Sequence, residues 1–153
     1  MPAAGLEIEQ SLHRYLIALA GVQALCNGPA GIRVSPWKTS QGEPSPRVTY
    51  QMTSAERIEA LSGPVGMSRP VFLLRCWGRS MEEAKTLAAA IRGTVSEPAL
   101  DGFRDWLGGR ESGHFVQCAR VKDAMDDPEE PIGGDDRGDP CVALEVQLFY
   151  EEG

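Results

Sequence analysis

Alternation of apolar and polar residues predicts the strands of this chain. The pattern is unbroken from Val142 to Tyr150, where one face is apolar and the other is mixed. Similar alternation predicts further strands over residues 31–37, 48–53 and onward past Arg57, 70–77 and 114–122. Because the 70–77 strand has apolar residues at both odd and even positions, we expect it to lie in the centre of the sheet.

Apolar residues at helical spacing predict two amphipathic helices. The first spans residues 6 to about 20, and its apolar stripe consists of Ile8, Leu12, Tyr15, Leu16 and Leu19. The second begins after Ser80, which forms a capping box with Glu83: the Ser80 side chain accepts from the Glu83 amide, and the Glu83 side chain reaches back. Its predicted apolar stripe consists of Met81, Ala84, Leu87, Ala88, Ile91 and Val95.

Clusters of Gly, Pro and Ser predict the connections between these elements. They predict a polar loop over 38–46 and turns at 62–66 and 108–109, while 100–107 fits either a helical turn or a strand. The predicted order is α-β-β-β-α-β-β. It indicates an α+β fold in one domain over 1–153, with a mostly antiparallel mixed sheet of about four to five strands and two helices on one face.

The charge of the chain is concentrated in one segment. Residues 123–139 hold eight carboxylates and one arginine, which accounts for the whole net charge of −7. The pattern predicts an exposed acidic loop over 123–140, because that segment has few apolar groups to bury. Its candidate residues for facing a lumen or a partner are Asp126, Asp127, Glu129, Glu130, Asp135 and Asp136. Basic residues interleaved with aromatic ones are not apparent in the sequence, so specific nucleic-acid binding is not expected.

Residue patterns that would indicate catalysis or metal binding are lacking. The four cysteines match no zinc or redox spacing, and the two histidines have no partner at triad or metal spacing. We therefore expect a non-enzyme without cofactor or metal. We also expect no signal peptide or membrane span, and a start in the cytoplasm. The alternative of another class is a small enzyme or ligand-binding protein with a site around His114, Cys118 and the acidic loop.

Several segments together resemble the tail-completion (tail-terminator) family of long-tailed bacteriophages, which also occurs in gene transfer particles. The segments that carry the likeness are Ala24-Leu25, the strand from Ile32, Pro46–Gln51, Leu61–Gly63, Phe72–Gly78, Ser80–Ala84, Leu87–Ile91, Leu100–Phe103, Leu107–Gly109 and Leu144–Tyr150. The loops at 38–46 and 123–140 are longer than the usual forms of the family.

This resemblance implies a structural virion protein at the head-tail junction. Members of the family form a homo-hexameric ring on the head-proximal end of the tail tube, end tube polymerisation and bind the head-completion protein, while DNA passes through the lumen without being read. In such a ring the acidic loop would repel phosphates if it faced the channel, or select a basic surface if it faced a partner. Another neck component, such as a head-closure or connector subunit, is the alternative within the same particle.

Overall fold

Three helices and eight strands form within the residues that the computed structural model describes, which are 8–28, 31–36, 46–60, 63–110, 113–127 and 140–151. The helices are α1 (Ile8–Ala18), α2 (Ala20–Cys26) and α3 (Met81–Arg92). The strands are β1 (Asn27–Gly28), β2 (Gly31–Ile32), β3 (Val34–Pro36), β4 (Arg47–Ala60), β5 (Gly63–Trp77), β6 (Asp105–Leu107), β7 (His114–Asp127) and β8 (Cys141–Glu151).

Six of these strands form one sheet in the order β3-β4-β5-β8-β7-β6. β3 and β4 are parallel, and every other neighbouring pair in this sheet is antiparallel, while β1 and β2 form a separate two-stranded ribbon. The predicted α+β class with a mostly antiparallel sheet is confirmed. The predicted counts were too low, because the described residues contain six strands in the sheet and three helices.

The helices and one face of the sheet enclose the hydrophobic core. α1 contacts both edge strands, β3 and β6, so the sheet curls around this helix. α2 packs on β4, and α3 packs on β5 and β8. Fully buried side chains from both layers include Leu12, Leu16, Leu87, Ile91, Phe72, Leu74, Leu144 and Leu148. Each such side chain stabilises the fold by about 1.5–3 kcal/mol relative to an exposed one.

The predicted first helix is divided into α1 and α2. Leu19, between them, has an extended backbone with φ −71° and ψ 130°. The break turns α2 against α3, where an added Cβ on Gly21 would lie 2.5 Å from the Cβ of Ala90. Close packing of the two helices therefore prevails over the continuous apolar periodicity that predicted one helix.

The predicted strand over 31–37 is likewise divided, with Arg33 at the break between β2 and β3. The Arg33 Nε donates to the Pro46 carbonyl oxygen at 2.8 Å, and its Nη1 donates to the Asn27 carbonyl oxygen at 3.2 Å. β2 pairs back onto β1, whereas β3 runs parallel to β4. The Arg33 side chain thus links β1 to the residue before β4, which alternation alone does not indicate.

The predicted cap of α3 is confirmed in part. The Ser80 Oγ accepts from the Glu83 amide at 3.2 Å, as expected. The Glu83 carboxylate, however, accepts from the amide of Arg79 at 2.8 Å and from its Nη2 at 2.8 Å. In a capping box it would accept from the amide of Ser80 instead. The hydrogen bonds from Arg79 lower the pKa of Glu83. The exposed ion pair also ties the residue before the helix to its first turn.

The end of α3 corrects the predicted apolar stripe. The helix ends at Arg92, and Gly93 follows with a φ of +91°, a conformation that favours glycine. Val95 therefore lies outside the helix and is fully exposed.

Two strands are longer than the alternation predicted. β7 continues past Lys122 to Asp127, because its backbone pairs with β8 as far as Cys141, with a register shift between Asp123 and Asp126. The predicted loop over 123–140 was therefore wrong at its start. β5 begins at Gly63, so residues 63–66 belong to a strand and not to the predicted turn. Residues 37–45 lie outside the described residues and include most of the predicted 38–46 loop. Residue 62 of the predicted turn lies outside them too.

Candidate functional site

One face of the large sheet packs on the helices, and the opposite face carries a different set of side chains. On β5, Phe72, Leu74 and Cys76 are fully buried in the core shared with the helices. Val71, Leu73 and Arg75 alternate with them and therefore point to the opposite face, where they are half-buried. We call this second face of β4, β5, β7 and β8 the open face. The expected central position of β5 is confirmed, since it lies between β4 and β8.

Strand register brings residues from distant parts of the sequence side by side on the open face. Leu73 lies opposite Glu145 of β8, which lies opposite Lys122 of β7. One step along, Val71 lies opposite Gln147, and Gln147 lies opposite Arg120. Phe149 follows on β8 and pairs with Cys118 of β7. The half-buried Val71 and Leu73 of β5 thus lie beside polar residues of β8, with Arg120 and Lys122 next to them on β7.

Positive charge predominates among the described side chains of the open face. Glu145 is the one carboxylate among them, and the cations are Arg47, Arg69, Arg75, Arg120 and Lys122. Arg69 places its guanidinium 5.5 Å from the ring centre of Phe149, a distance that permits cation–π attraction. Arg120 and Lys122 are exposed. The register also pairs Glu56 with Arg69, Glu151 with Met67 and Asp127 with Cys141, so further acidic positions lie on this face of the sheet.

At one end of the open face, Trp77 is closed off from solvent. Only 1% of Trp77 is exposed, and the guanidinium of Arg47 lies 4.5 Å from its ring centre. The indole Nε1 donates to the Oγ1 of Thr49 at 3.2 Å. Cys141 and Ala143 beside it are also buried. The tryptophan is therefore an anchor of this end of the sheet and not part of an open ligand cage.

The acidic residues singled out from the sequence are separated by the end of β7. Asp126 and Asp127 lie on β7, where their backbones pair with Val142 and Cys141. The other candidates lie outside the described residues: Glu129, Glu130, Asp135 and Asp136.

The structure separates the residues of the alternative enzymatic site. His114 lies on the helix side, where its Nδ1 is 2.7 Å from the Oγ of Ser11 and its ring contacts Tyr150 edge to face at 5.0 Å. Cys118 pairs with Phe149 and lies on the open face. Ser11 has no exposed surface, so its hydroxyl is inaccessible to a substrate and its contact with His114 ties α1 to β7. His114 and Cys118 therefore do not share a site.

Three of the four cysteines lie in the protein interior. Cys26, Cys76 and Cys141 are buried and Cys118 is exposed, and all four are free thiols. Burial, and then the neighbouring Cys141 and Cys26, raise the pKa of Cys76 well above its ordinary value. A buried neutral thiol is a poor nucleophile. Within the described residues, no group of three or more His, Cys, Asp or Glu side chains could hold a metal ion.

A surface depression of about 380 Å³ follows the end of α3, lined by Arg92, Gly93, Thr94, Val95, Pro98 and Asp101. Its carboxylate is already engaged, because the Asp101 Oδ1 accepts from the Val121 amide at 3.0 Å. Neither histidine nor cysteine lines it. Among the described helices, none is long and apolar enough to cross a membrane.

Sequence reasoning did not predict that these basic residues share one face of the sheet. The basic residues lie on three strands separated by up to 75 positions, and only the register places them together. The available signal was that Arg120 and Lys122 are two residues apart, a spacing that places both on the same face of a strand. Comparison with protein-family models gave no match, and comparison with curated proteins found none with a similar sequence.

Proposed function

We propose that this chain is a structural subunit of a phage-type particle that forms a ring on the head-proximal end of the tail tube. In this role it ends tube polymerisation and joins the tail to the head-completion protein, and DNA passes through its lumen. It acts by protein contacts alone, without catalysis or cofactor. The particle and the position of the ring come from the resemblance described above, and the structure supports a surface for neighbouring subunits.

The observation that carries the proposal is the open face. A sheet whose second face holds half-buried apolar residues, among them Val71, Leu73 and Phe149, retains surface that an assembled neighbour can cover. The cations around these residues would add direction and specificity to such a contact. A subunit that functions in a ring needs at least one surface of this kind, because each copy must contact two others.

The arrangement of polar groups also fits a structural role. The Ser11 hydroxyl that contacts His114 is buried, three thiols are buried, and the exposed Cys118 thiol lies on the face of the sheet opposite to His114. The buried groups among these are accounted for by packing or by a hydrogen bond between elements.

Negative-stain electron microscopy of tail tube protein, polymerised with and without the chain, tests the proposal. We expect tubes that carry a distinct ring at one end and stop growing when the chain is present. Tubes with unchanged ends and lengths would overturn the terminator assignment and favour a neck component on the portal side. Co-purification with portal or head-closure protein, rather than with tube protein, would then identify that component.

A further inference from the structure

Helix α1, which contacts both edge strands of the curled sheet, is tied to that sheet by two polar contacts. Towards one edge, the Nδ1 of His13 lies 3.3 Å from the Oη of Tyr50 on β4. Towards the other edge, the Oγ of Ser11 lies 2.7 Å from the Nδ1 of His114 on β7. The chain has two histidines, and each of them forms one of these contacts. We propose that the two contacts form an acid-sensitive clasp, which holds α1 against the sheet while both histidines are neutral and loosens it when they take up protons.

The hydroxyl partners of the clasp are buried. Ser11 has no exposed surface, and 8% of Tyr50 is exposed. The Nδ1 of a neutral imidazole accepts a hydrogen bond from such a hydroxyl or donates one to it, depending on the tautomer. A protonated imidazole can only donate, so the hydroxyl hydrogen must then turn to another acceptor where little water is available. Protonation therefore removes one of the two possible hydrogen bonds at each contact and adds a positive charge beside it.

The surroundings of His13 disfavour its charged form. Tyr50 packs on the imidazole from β4 with ring centres 5.8 Å apart, Glu9 lies one turn earlier on α1, and β3 has no titratable residue. The Glu9 carboxylate would favour an imidazolium, but burial outweighs it and lowers the pKa of His13. Burial, and then the charge of Glu9, raise the pKa of Tyr50, so its hydroxyl stays neutral over the whole range in which histidine titrates.

Three elements place side chains against His114. Tyr150 of β8 contacts its ring edge to face at 5.0 Å, Ser11 contacts it from α1, and Leu107 of β6 lies opposite it in the register. None of these three side chains carries a negative charge near neutral pH that could stabilise an imidazolium. Ser11 also belongs to the first turn of α1, where the positive end of the helix dipole disfavours a neighbouring cation.

The loosening should be confined to α1. At about pH 5 an exposed histidine, whose pKa is about 6.5, is protonated about thirty times more often than it is neutral. A contact that holds the neutral form then favours the released helix by up to that factor, because release allows the proton to bind. Leu12 and Leu16 remain fully buried in the closed form, so acid raises the fraction of molecules with α1 open and does not detach the helix completely. α3 packs on the central strands β5 and β8 and contains no histidine, so it serves as an internal control.

Hydrogen exchange of the backbone amides, measured by mass spectrometry at about pH 7.5 and about pH 5 and corrected for the intrinsic effect of pH, tests the clasp. Protection of α1 should fall roughly tenfold or more at the lower pH, whereas protection of α3 should change by less than about threefold. In the double variant His13→Asn with His114→Asn, protection of α1 should be equal at both pH values. Asparagine keeps a polar atom close to the position of Nδ1 but does not titrate, and each single variant should therefore show a smaller fall than the wild type.

An equal loss of protection in α1 and α3 would overturn the clasp, as would a double variant that loses as much protection as the wild type. Nuclear magnetic resonance of the two histidine rings in the wild type needs no substitution, so it decides the matter even if the double variant does not fold. Both rings should gain protons over the pH range in which α1 loses protection, and rings that stay neutral over that range would overturn the proposal. The clasp is independent of the proposed function, and the tube-ending experiment has no bearing on it.

Discussion

Replacing Thr49 with valine should lower the free energy of unfolding by about 1–2 kcal/mol. The Trp77 indole donates its N–H to the Thr49 hydroxyl at 3.2 Å, and 1% of Trp77 and 7% of Thr49 are exposed. Valine keeps the shape of threonine but offers no acceptor, so a buried donor would lose its partner. Leaving a buried donor unsatisfied costs about 1–3 kcal/mol, and a distance at the long end of the normal range places the expected value in the lower half.

Urea unfolding followed by circular dichroism measures this loss. Thr53→Val is the matched control on the same strand, because the exposed Thr53 hydroxyl donates to the Val71 carbonyl oxygen at 3.2 Å and water can replace it. The control should change stability by no more than about 0.5 kcal/mol. In a Trp77→Phe background, which lacks the donor, Thr49→Val should cost close to nothing. A neutral Thr49→Val, or an equal cost with and without the indole, would refute the reasoning.

Three further predictions concern the helices and the pH dependence of stability. Ser80→Ala should destabilise the protein by about 1 kcal/mol in urea unfolding, because it removes the acceptor of the Glu83 amide; an unchanged midpoint would contradict the capping role. Gly21→Ala would place a Cβ 2.5 Å from that of Ala90 and should lower the free energy of unfolding by about 1–3 kcal/mol. Adding Ala90→Gly should recover part of this loss, whereas additive losses would argue against the close contact. Burial lowers the pKa of His13 below 6.5, so the unfolded chain binds its proton more readily. This contribution to stability is complete above pH 6.5 and is lost as the pH falls through the lower, folded-state pKa. The difference in melting temperature between the wild type and His13→Asn should therefore change between pH 7.5 and pH 5. A difference that is independent of pH would contradict this account.

The sequence predicted those elements that depend on neighbouring residues alone. β8 follows the alternation from Val142 to Tyr150, and α3 begins where Ser80 supplies a side-chain cap. The failures have tertiary causes. The periodicity of the first helix continues through Leu19, but packing of Gly21 against Ala90 breaks it there.

Pairing between strands produced the other differences. The carboxylates after Lys122 indicate a loop by composition, yet the backbone of β7 continues to Asp127 because β8 supplies a partner strand. Parallel pairing of β3 with β4 has no sequence signal at all, since a three-residue strand is too short to show periodicity.

The candidate site was predictable only in outline. Apolar residues on both faces of the 70–77 strand indicated its central place in the sheet, and the acidic segment indicated either a channel lining or a contact with a basic partner. The grouping of cations on one face was not visible, because Arg69 lies 51 positions from Arg120 and register alone brings them together. The burial of Ser11 beside His114, which makes the serine hydroxyl inaccessible, also depends on tertiary packing.

The length of tail tubes, measured by electron microscopy against the molar ratio of this chain to tube protein, tests the central claim most directly. If each ring ends one tube, mean length should fall steadily as the ratio rises, and each tube should carry one ring at the same end. A length distribution independent of the ratio, or rings bound along the sides of the tubes, would contradict the role of a tail terminator.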